Sequence, residues 1–194
     1  TANSLPAKPD AWTLCLGHQA IVLLMNENNP ELDEILQKGF RAEQFSNSFN
    51  GDNLQEIHPV VTDQPEVAAG IAAFTQSVQP ALTARKVKDA AALFLALQQD
   101  PKAIGFCRLA DLTVDGQTTL PAGLRLAPID KNNNGRMDAF ENIYENTATL
   151  TRGIWIGKYP RELSGSLYAV SNSAPTDAAV IAFLTWITSD GGVL

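Results

Sequence analysis

Residues 130 to 141 read Asp-Lys-Asn-Asn-Asn-Gly-Arg-Met-Asp-Ala-Phe-Glu. Oxygen-bearing side chains recur through this stretch as Asp130, Asn132, Asn134, Asp138 and Glu141. Gly135 sits at its middle, and Arg136 follows at a position where the backbone carbonyl serves as a ligand. A hard cation such as Ca2+ needs about six to eight oxygens at roughly 2.3–2.6 Å, and a short segment supplies them only if it turns sharply. Glycine allows that turn because it tolerates positive φ. The spacing is that of an EF-hand calcium loop. The plain alternative is an Asn/Asp/Gly turn that binds nothing. Asp138 and Glu141 are also in register, which favours calcium. With three carboxylates among the ligands, the expected dissociation constant is weak, roughly 10⁻⁴–10⁻³ M.

The elements that hold this loop differ from those of a helix–loop–helix sensor. Leu124-Arg-Leu-Ala-Pro-Ile129 alternates and carries a proline, which predicts a strand leading into the loop and a strand–loop–helix site. No partner loop exists in the sequence, so calcium is expected to stiffen the fold rather than to signal. A second group of residues suggests anion binding. Arg152, Lys158 and Arg161 stand close together, beside Ser164 and Ser166. Arginine offers forked donors to an oxyanion, although a solvated loop face is the simpler reading of such a cluster. His18 and His58 have no neighbouring ligand at helical spacing and read as structural. Asp63 and Glu66 read as acidic residues at a helix start. Trp155 and Trp186 read as core, from strand and helix spacing. No Gly-x-Ser-x-Gly, phosphate-loop or dinucleotide motif is present, so nothing supports an enzyme.

Composition narrows the classes further. The chain has 194 residues, 45% hydrophobic content and a formal net charge of −7. The acidity argues against nucleic acid or an anionic membrane surface as partner, and the apolar runs are too short to span a bilayer. The first residues lack a basic start and an apolar segment, and the chain does not begin with Met, as expected of a mature or truncated chain. Cys15 and Cys107 lie in apolar surroundings and read as two buried thiols acting as small hydrophobes, with pairing the lesser alternative.

Strand and helix signals alternate along most of the chain. Ile21–Met25 reads as a strand buried on both faces, as in a parallel sheet. Helices are expected from Pro30 to Gly39, from Arg41 to Phe49, from Pro65 to Val78, from Lys86 to Gln99 and from Thr176 to Ser189. Further strands are expected at His58–Thr62, Ala103–Arg108, Gly123–Ile129, Gly153–Gly157 and Ser166–Ser171. The alternation predicts an α/β fold with a mostly parallel central sheet flanked by helices. One domain is expected over residues 12–194, with residues 1–11 as an N-terminal extension.

Several segments carry a family resemblance. Asp100-Pro-Lys-Ala-Ile-Gly-Phe-Cys107, Leu126-Ala-Pro-Ile-Asp130, Arg152-Gly-Ile-Trp-Ile-Gly-Lys-Tyr-Pro-Arg161, Leu167-Tyr-Ala-Val170 and Ala182-Phe-Leu-Thr-Trp186 follow one another in an order that resembles the C-terminal portion of phosphate-type substrate-binding proteins of ABC importers. Gly17-His-Gln-Ala-Ile-Val-Leu-Leu-Met25 is similar to that family's crossing strand, and Gly39–Gly51 to the helix after it. The resemblance implies one lobe of a type II periplasmic binding protein-like fold. It also implies a non-catalytic, exported solute-binding role in the periplasm or outside the cell. The implied partners are a small anionic solute and an ABC permease or another cell-envelope protein; the cation cluster described above, and not the resemblance, supplies Arg152, Lys158, Arg161 and Ser164 as candidate solute ligands. Such receptors close two lobes around the solute, and no counterpart of the first lobe precedes Trp12. The family's Ser-Gly-Thr is replaced by Thr62-Asp-Gln-Pro-Glu66, whose carboxylates oppose phosphate at that position. The rival expectation is a surface module that keeps the fold but binds protein or glycan.

Overall fold

The computed structural model describes residues 11–45, 57–76, 84–114 and 117–189. Phe49 and Val78, at the ends of two expected helices, and the extension through residue 10 lie outside them.

The longest element is β1 (Trp12–Asn26), whose second half, from Ala20 onward, is buried throughout. After α1 (Leu32–Lys38) come β2 (His58–Thr62), α2 (Pro65–Thr75), β3 (Arg85–Val87), α3 (Ala90–Gln99) and β4 (Ala103–Arg108). A small hairpin of β5 (Thr113–Val114) and β6 (Gln117–Thr118) leads to β7 (Leu124–Leu126), α4 (Thr147–Trp155), β8 (Ser164–Ser171) and α5 (Ala178–Ile187). The main sheet has the order β3-β2-β4-β1-β7, and β8 joins through β1. Strand β2 runs parallel to β3 and β4, whereas β1 runs antiparallel to β4, β7 and β8. Five strands thus share one direction and β1 alone opposes them. The sheet is mixed and mostly parallel, with helices against it.

The parallel setting expected for Ile21–Met25 is corrected by this topology. The apolar run is buried because β4 flanks it along one edge, β7 joins it at its end and side chains cover both faces. Its first half pairs only with β8, through a register shift between Cys15 and Gly17. The core gathers around Leu23, Leu24, Met25 and Phe106. Phe45 packs at ring centroid distances of 5.1 Å from both Phe40 and Phe106, the second contact edge-on. Such pairs add to plain area burial.

Local signals explain most element ends. Asp89 accepts a hydrogen bond from the Ala92 N–H at 2.9 Å and caps α3, so Lys86, expected in this helix, belongs instead to β3. Asp177 caps α5 by accepting from the N–H groups of Ala179 and Val180. Helix α1 begins at Leu32, after Pro30. Gly153–Gly157 is not a strand. Asn146 accepts from the Thr149 N–H at 2.9 Å and starts α4, which buries Leu150 and Ile154 one turn apart. Tertiary packing overrides the β-branched composition there. Gly153 is required at the contact, because a Cβ would lie within 2.7–2.9 Å of three Ile143 side-chain atoms. Trp155 and Trp186 are not core either. They are 56% and 57% exposed.

The two cysteines are separate thiols; Cys107 is buried as expected, but Cys15 is exposed, because the first half of β1 lies outside the core. Burial pushes the Cys107 thiol well above its ordinary range. His18 packs edge-on against Trp155, and His58 Nδ1 lies 2.6 Å from Asp100 Oδ2.

One buried hydrogen bond ties distant parts of the chain. Tyr159 is fully enclosed and donates its hydroxyl to the Ile21 carbonyl at 2.8 Å. Tyr159→Phe leaves that carbonyl without its donor. Urea denaturation should show a loss of about 1–2 kcal/mol at an unchanged m-value.

Candidate functional site

Two places in the fold gather polar side chains. The first is the 130–141 loop. Its entry is a strand, as expected: β7 continues through Ala127, whose N–H donates to the Leu23 carbonyl at 2.9 Å. Ile129 then forms a parallel bridge with Phe40. The Phe40 N–H donates to Pro128 O at 2.8 Å, and the Asp130 N–H donates to Phe40 O at 2.9 Å. Gly39 makes this stitching possible. It has φ +68°, and a Cβ there would meet the Asp130 nitrogen at 2.7 Å. The exit differs from the expected helix. Asn142 N–H donates to Asp138 O to close one turn, and α4 starts only at Thr147.

Within the loop the backbone folds onto its own side chains. Asp130 accepts from the N–H groups of Asn134 at 3.2 Å and Gly135 at 2.7 Å. Glu141 reaches back with both oxygens, to the Asn132 N–H at 2.9 Å and the Asp138 N–H at 3.2 Å. Asn132 and Asn134 donate their side-chain amides to the same oxygen of Asp138, at 3.0 and 2.7 Å. These bonds hold the Asp138 carboxyl below the ordinary carboxylate range, with Arg136 adding to the effect. Gly135 takes φ +82° and Asn133 φ +57°. Asn132, Asn134 and Asp138 therefore converge, while Asp130 and Glu141 enter from the buried side.

The charge balance is informative. Asp130 and Glu141 are each only 2% exposed. The nearby cations are directed elsewhere: Arg136 pairs with Asp138 at 3.1 Å and Lys131 donates to Gly157 O at 2.7 Å. Among the described residues neither buried carboxylate has an ion-pair partner. Backbone N–H groups offset part of the desolvation cost, but not the charge. Among the described residues no three His, Cys, Asp or Glu side chains gather into a metal site by themselves. A cation here would also draw on the Asn132 and Asn134 carbonyl oxygens, each of which keeps a second lone pair, and on the Arg136 backbone carbonyl.

The second place is a cavity of about 580 Å³ where β1 passes from β8 to β4. Gln19, Ala20 and Ile21 of β1 and their sheet neighbours Ser164 and Gly165 of β8 form one wall of it. Helix α2 supplies Pro65, Glu66, Ala69 and Ala73, and the short 3-10 turn Arg161–Leu163 closes another side. Arg108, at the carboxyl end of β4, also lines it. Crevices outside the carboxyl ends of strands are where open α/β sheets place ligands.

Of the residues expected at an anion site, Arg161 and Ser164 line this cavity. Arg152 and Lys158 do not. Arg152 sits exposed on α4, and the Lys158 ammonium lies 4.9 Å over the Phe140 ring. Sequence reasoning missed Arg108, Glu66 and Glu162 as a group. A charged residue directly after the apolar Ala103–Cys107 run was the available signal. Arg108 is half-committed already, donating Nη2 to Asp111 Oδ1 at 2.7 Å. That hydrogen bond, with Glu66 contributing through space, raises its guanidinium further above the titratable range.

No family model matches the sequence, and no curated protein matches it. Solved structures match the fold. An ABC-type phosphate transport receptor from Vibrio cholerae aligns with a TM-score of 0.63 and 15% identity, covering 97% of this chain and 72% of that one. A putative phosphate ABC transporter substrate-binding protein with bound phosphate from Clostridium perfringens aligns at 0.57 and 14%, covering 98% and 72%. PstS from Borrelia burgdorferi aligns at 0.57 and 15%, covering 99% and 73%. At such identities the likeness is one of fold. The chain has the α/β architecture of one lobe of a type II periplasmic binding protein-like fold.

The loop geometry makes Glu141 structural in its own right. Glu141→Ala removes acceptors from two backbone N–H groups and should cost about 2 kcal/mol, read by thermal denaturation in the presence of a chelator.

Proposed function

We propose that this chain is a non-catalytic solute-binding lobe of the phosphate-receptor type, exported to the periplasm or the cell exterior, with one structural calcium in the 130–141 loop. The observation that carries the first part is the place of the cavity. It lies where the β1–β8 pair meets the start of α2 and the end of β4, in a fold shared with phosphate receptors over nearly the whole chain. Solute capture there fits the polar groups at its rim and the apolar wall between them. An ABC permease or another envelope protein would receive the solute.

A second reading has its own observation. Val180, Ile181, Phe183 and Trp186 of α5 are all exposed, as are Leu167, Tyr168 and Val170 of β8. Apolar surface of this kind is what a protein-interaction module presents. A screen of small anions, cations and zwitterions against the 194-residue chain by two-dimensional NMR separates the two. Saturable shifts of the Gly70, Ser164 and Gly165 amides support solute binding. Silence across the screen, with a one-to-one complex formed by a purified envelope protein, supports the interaction module.

Support for calcium comes from two buried carboxylates with no ion-pair partner among the described residues and three further side chains that converge beside them. Asp130, Asn132, Asn134, Asp138 and Glu141 would hold the ion through side chains, and Arg136 through its carbonyl. At tenfold excess over the dissociation constant the ion should add about 1.4 kcal/mol, a rise in melting temperature of roughly 3–6 °C. Glu141→Gln should abolish the rise. A melting temperature indifferent to both calcium and chelator would remove the ion from this account.

A further inference from the structure

We infer that the cavity between β1, β8 and α2 takes a zwitterionic, partly apolar solute of amino-acid type and not a simple oxyanion. This rests on the solute-binding reading above and adds the class of ligand to it.

The charges around the cavity are mixed. Arg108 and Arg161 line it together with Glu66 and Glu162. Asp111 stands behind Arg108 and engages two of its nitrogens, Nε at 3.2 Å and Nη2 at 2.7 Å. Arg161 has no ion-pair partner among the described residues. Arg161 thus shares the cavity's lining with two acidic residues, of which Glu66 also acts on Arg108 through space. A bare oxyanion would gain Arg161 and be opposed by both Glu side chains. A bare cation would gain the carboxylates and be opposed by Arg161. A solute carrying both charges satisfies each: its carboxylate takes the forked donors of Arg161, and its ammonium takes Glu66 or Glu162.

The backbone points the same way. Pro65 is the first residue of α2, so that position lacks an N–H. The acidic Glu66 already occupies the first turn and would repel an anion there. The helix start is thus poorly equipped for an anion that needs several donors.

Size and wall chemistry supply the apolar part. Ile21, Ala69, Ala73 and Leu163 line the space. Gly70 lets the Ile21 Cδ1 approach the helix, which brings β1 and α2 together at the floor. A volume of about 580 Å³ falls in the range of roughly 300–1,000 Å³ typical of small-molecule sites, far more than an inorganic oxyanion fills. Arg161, Glu66 and Glu162 are all solvent-exposed, so modest affinity is expected.

The test compares four probes by NMR titration of the 194-residue chain: L-leucine, 4-methylpentanoate, 3-methylbutylamine and inorganic phosphate. L-Leucine should shift the Gly70, Ser164 and Gly165 amides saturably, at least about tenfold more tightly than any of the others. Arg161→Gln and Glu66→Gln should each weaken it by about tenfold with melting temperatures unchanged. Phosphate or 4-methylpentanoate binding at these amides as tightly as leucine overturns the zwitterion and leaves solute binding standing. Leucine binding untouched by either substitution overturns the assigned charges. Silence from all four probes overturns this inference together with the reading beneath it.

Discussion

The hydrogen-bond demand of β1 governs this fold. A buried strand must find partners for its backbone groups along its buried length. β1 meets that demand by changing partners part-way. Trp12 to Ala20 pair with β8, Ile21 to Met25 pair with β4, and Leu24 to Asn26 also pair with β7. The changeover falls between Ala20 and Ile21. There Tyr159 adds its hydroxyl to the Ile21 carbonyl, and there the strands β4 and β8 have just ended or begun. The cavity lies at this changeover, against the start of α2. The same strand sets the other site. Leu23 accepts from Ala127 and so fixes the segment that enters the 130–141 loop. Both candidate sites are consequences of one strand opposing its neighbours.

The parts legible in the sequence were those with strong local signals. Ala103–Arg108 formed a strand as its apolar run and the preceding Asp-Pro stop implied, and the C-terminal helix appeared between its acidic cap and Ile187. The loop's turn was legible because Gly135 and the Asx residues act on their own backbone. What failed depended on distant neighbours. Ile154-Trp155-Ile156 has strand-like composition, but Ile143 packing against Gly153 holds it helical. Spacing identified α5 as a helix and could not say that Phe183 and Trp186 face solvent. The cation cluster was judged on proximity along the chain. In space, Arg152 and Lys158 leave with α4 and its following turn, while Arg161 joins Arg108, which lies far from it in sequence.

Charge distribution links the two sites and separates their chemistry. The chain is acidic, with a net charge of −7. In the loop two of the acids, Asp130 and Glu141, are buried with no ion-pair partner among the described residues, a setting that favours a small, highly charged ion. At the cavity the acid is exposed and set among guanidinium groups, so water screens it and no single sign dominates. A divalent ion in the loop and an organic solute in the cavity would therefore not compete. Asp130 and Glu141 are buried out of reach of a bulky ligand, and the cavity's carboxylates are exposed to water.

The loop's mounting decides what an ion there could do. A sensor of the EF-hand type converts binding into a change of angle between two helices, which requires both flanking elements to be free to move. Here the entering segment is hydrogen-bonded to Leu23 on one side and to Phe40 on the other, and Met137 is held to the Gln37 carbonyl at 2.7 Å. The exit is a single turn, too short to act as a lever. An ion bound in such a frame has no second arrangement to select. Its binding energy could only deepen the folded state it finds, by relieving the repulsion between Asp130 and Glu141. Calcium bound there would couple to the stability of the β7–Phe40 edge and not to the shape of the cavity, since the cavity's walls are built from β8, α2, the Arg161–Leu163 turn and the middle of β1.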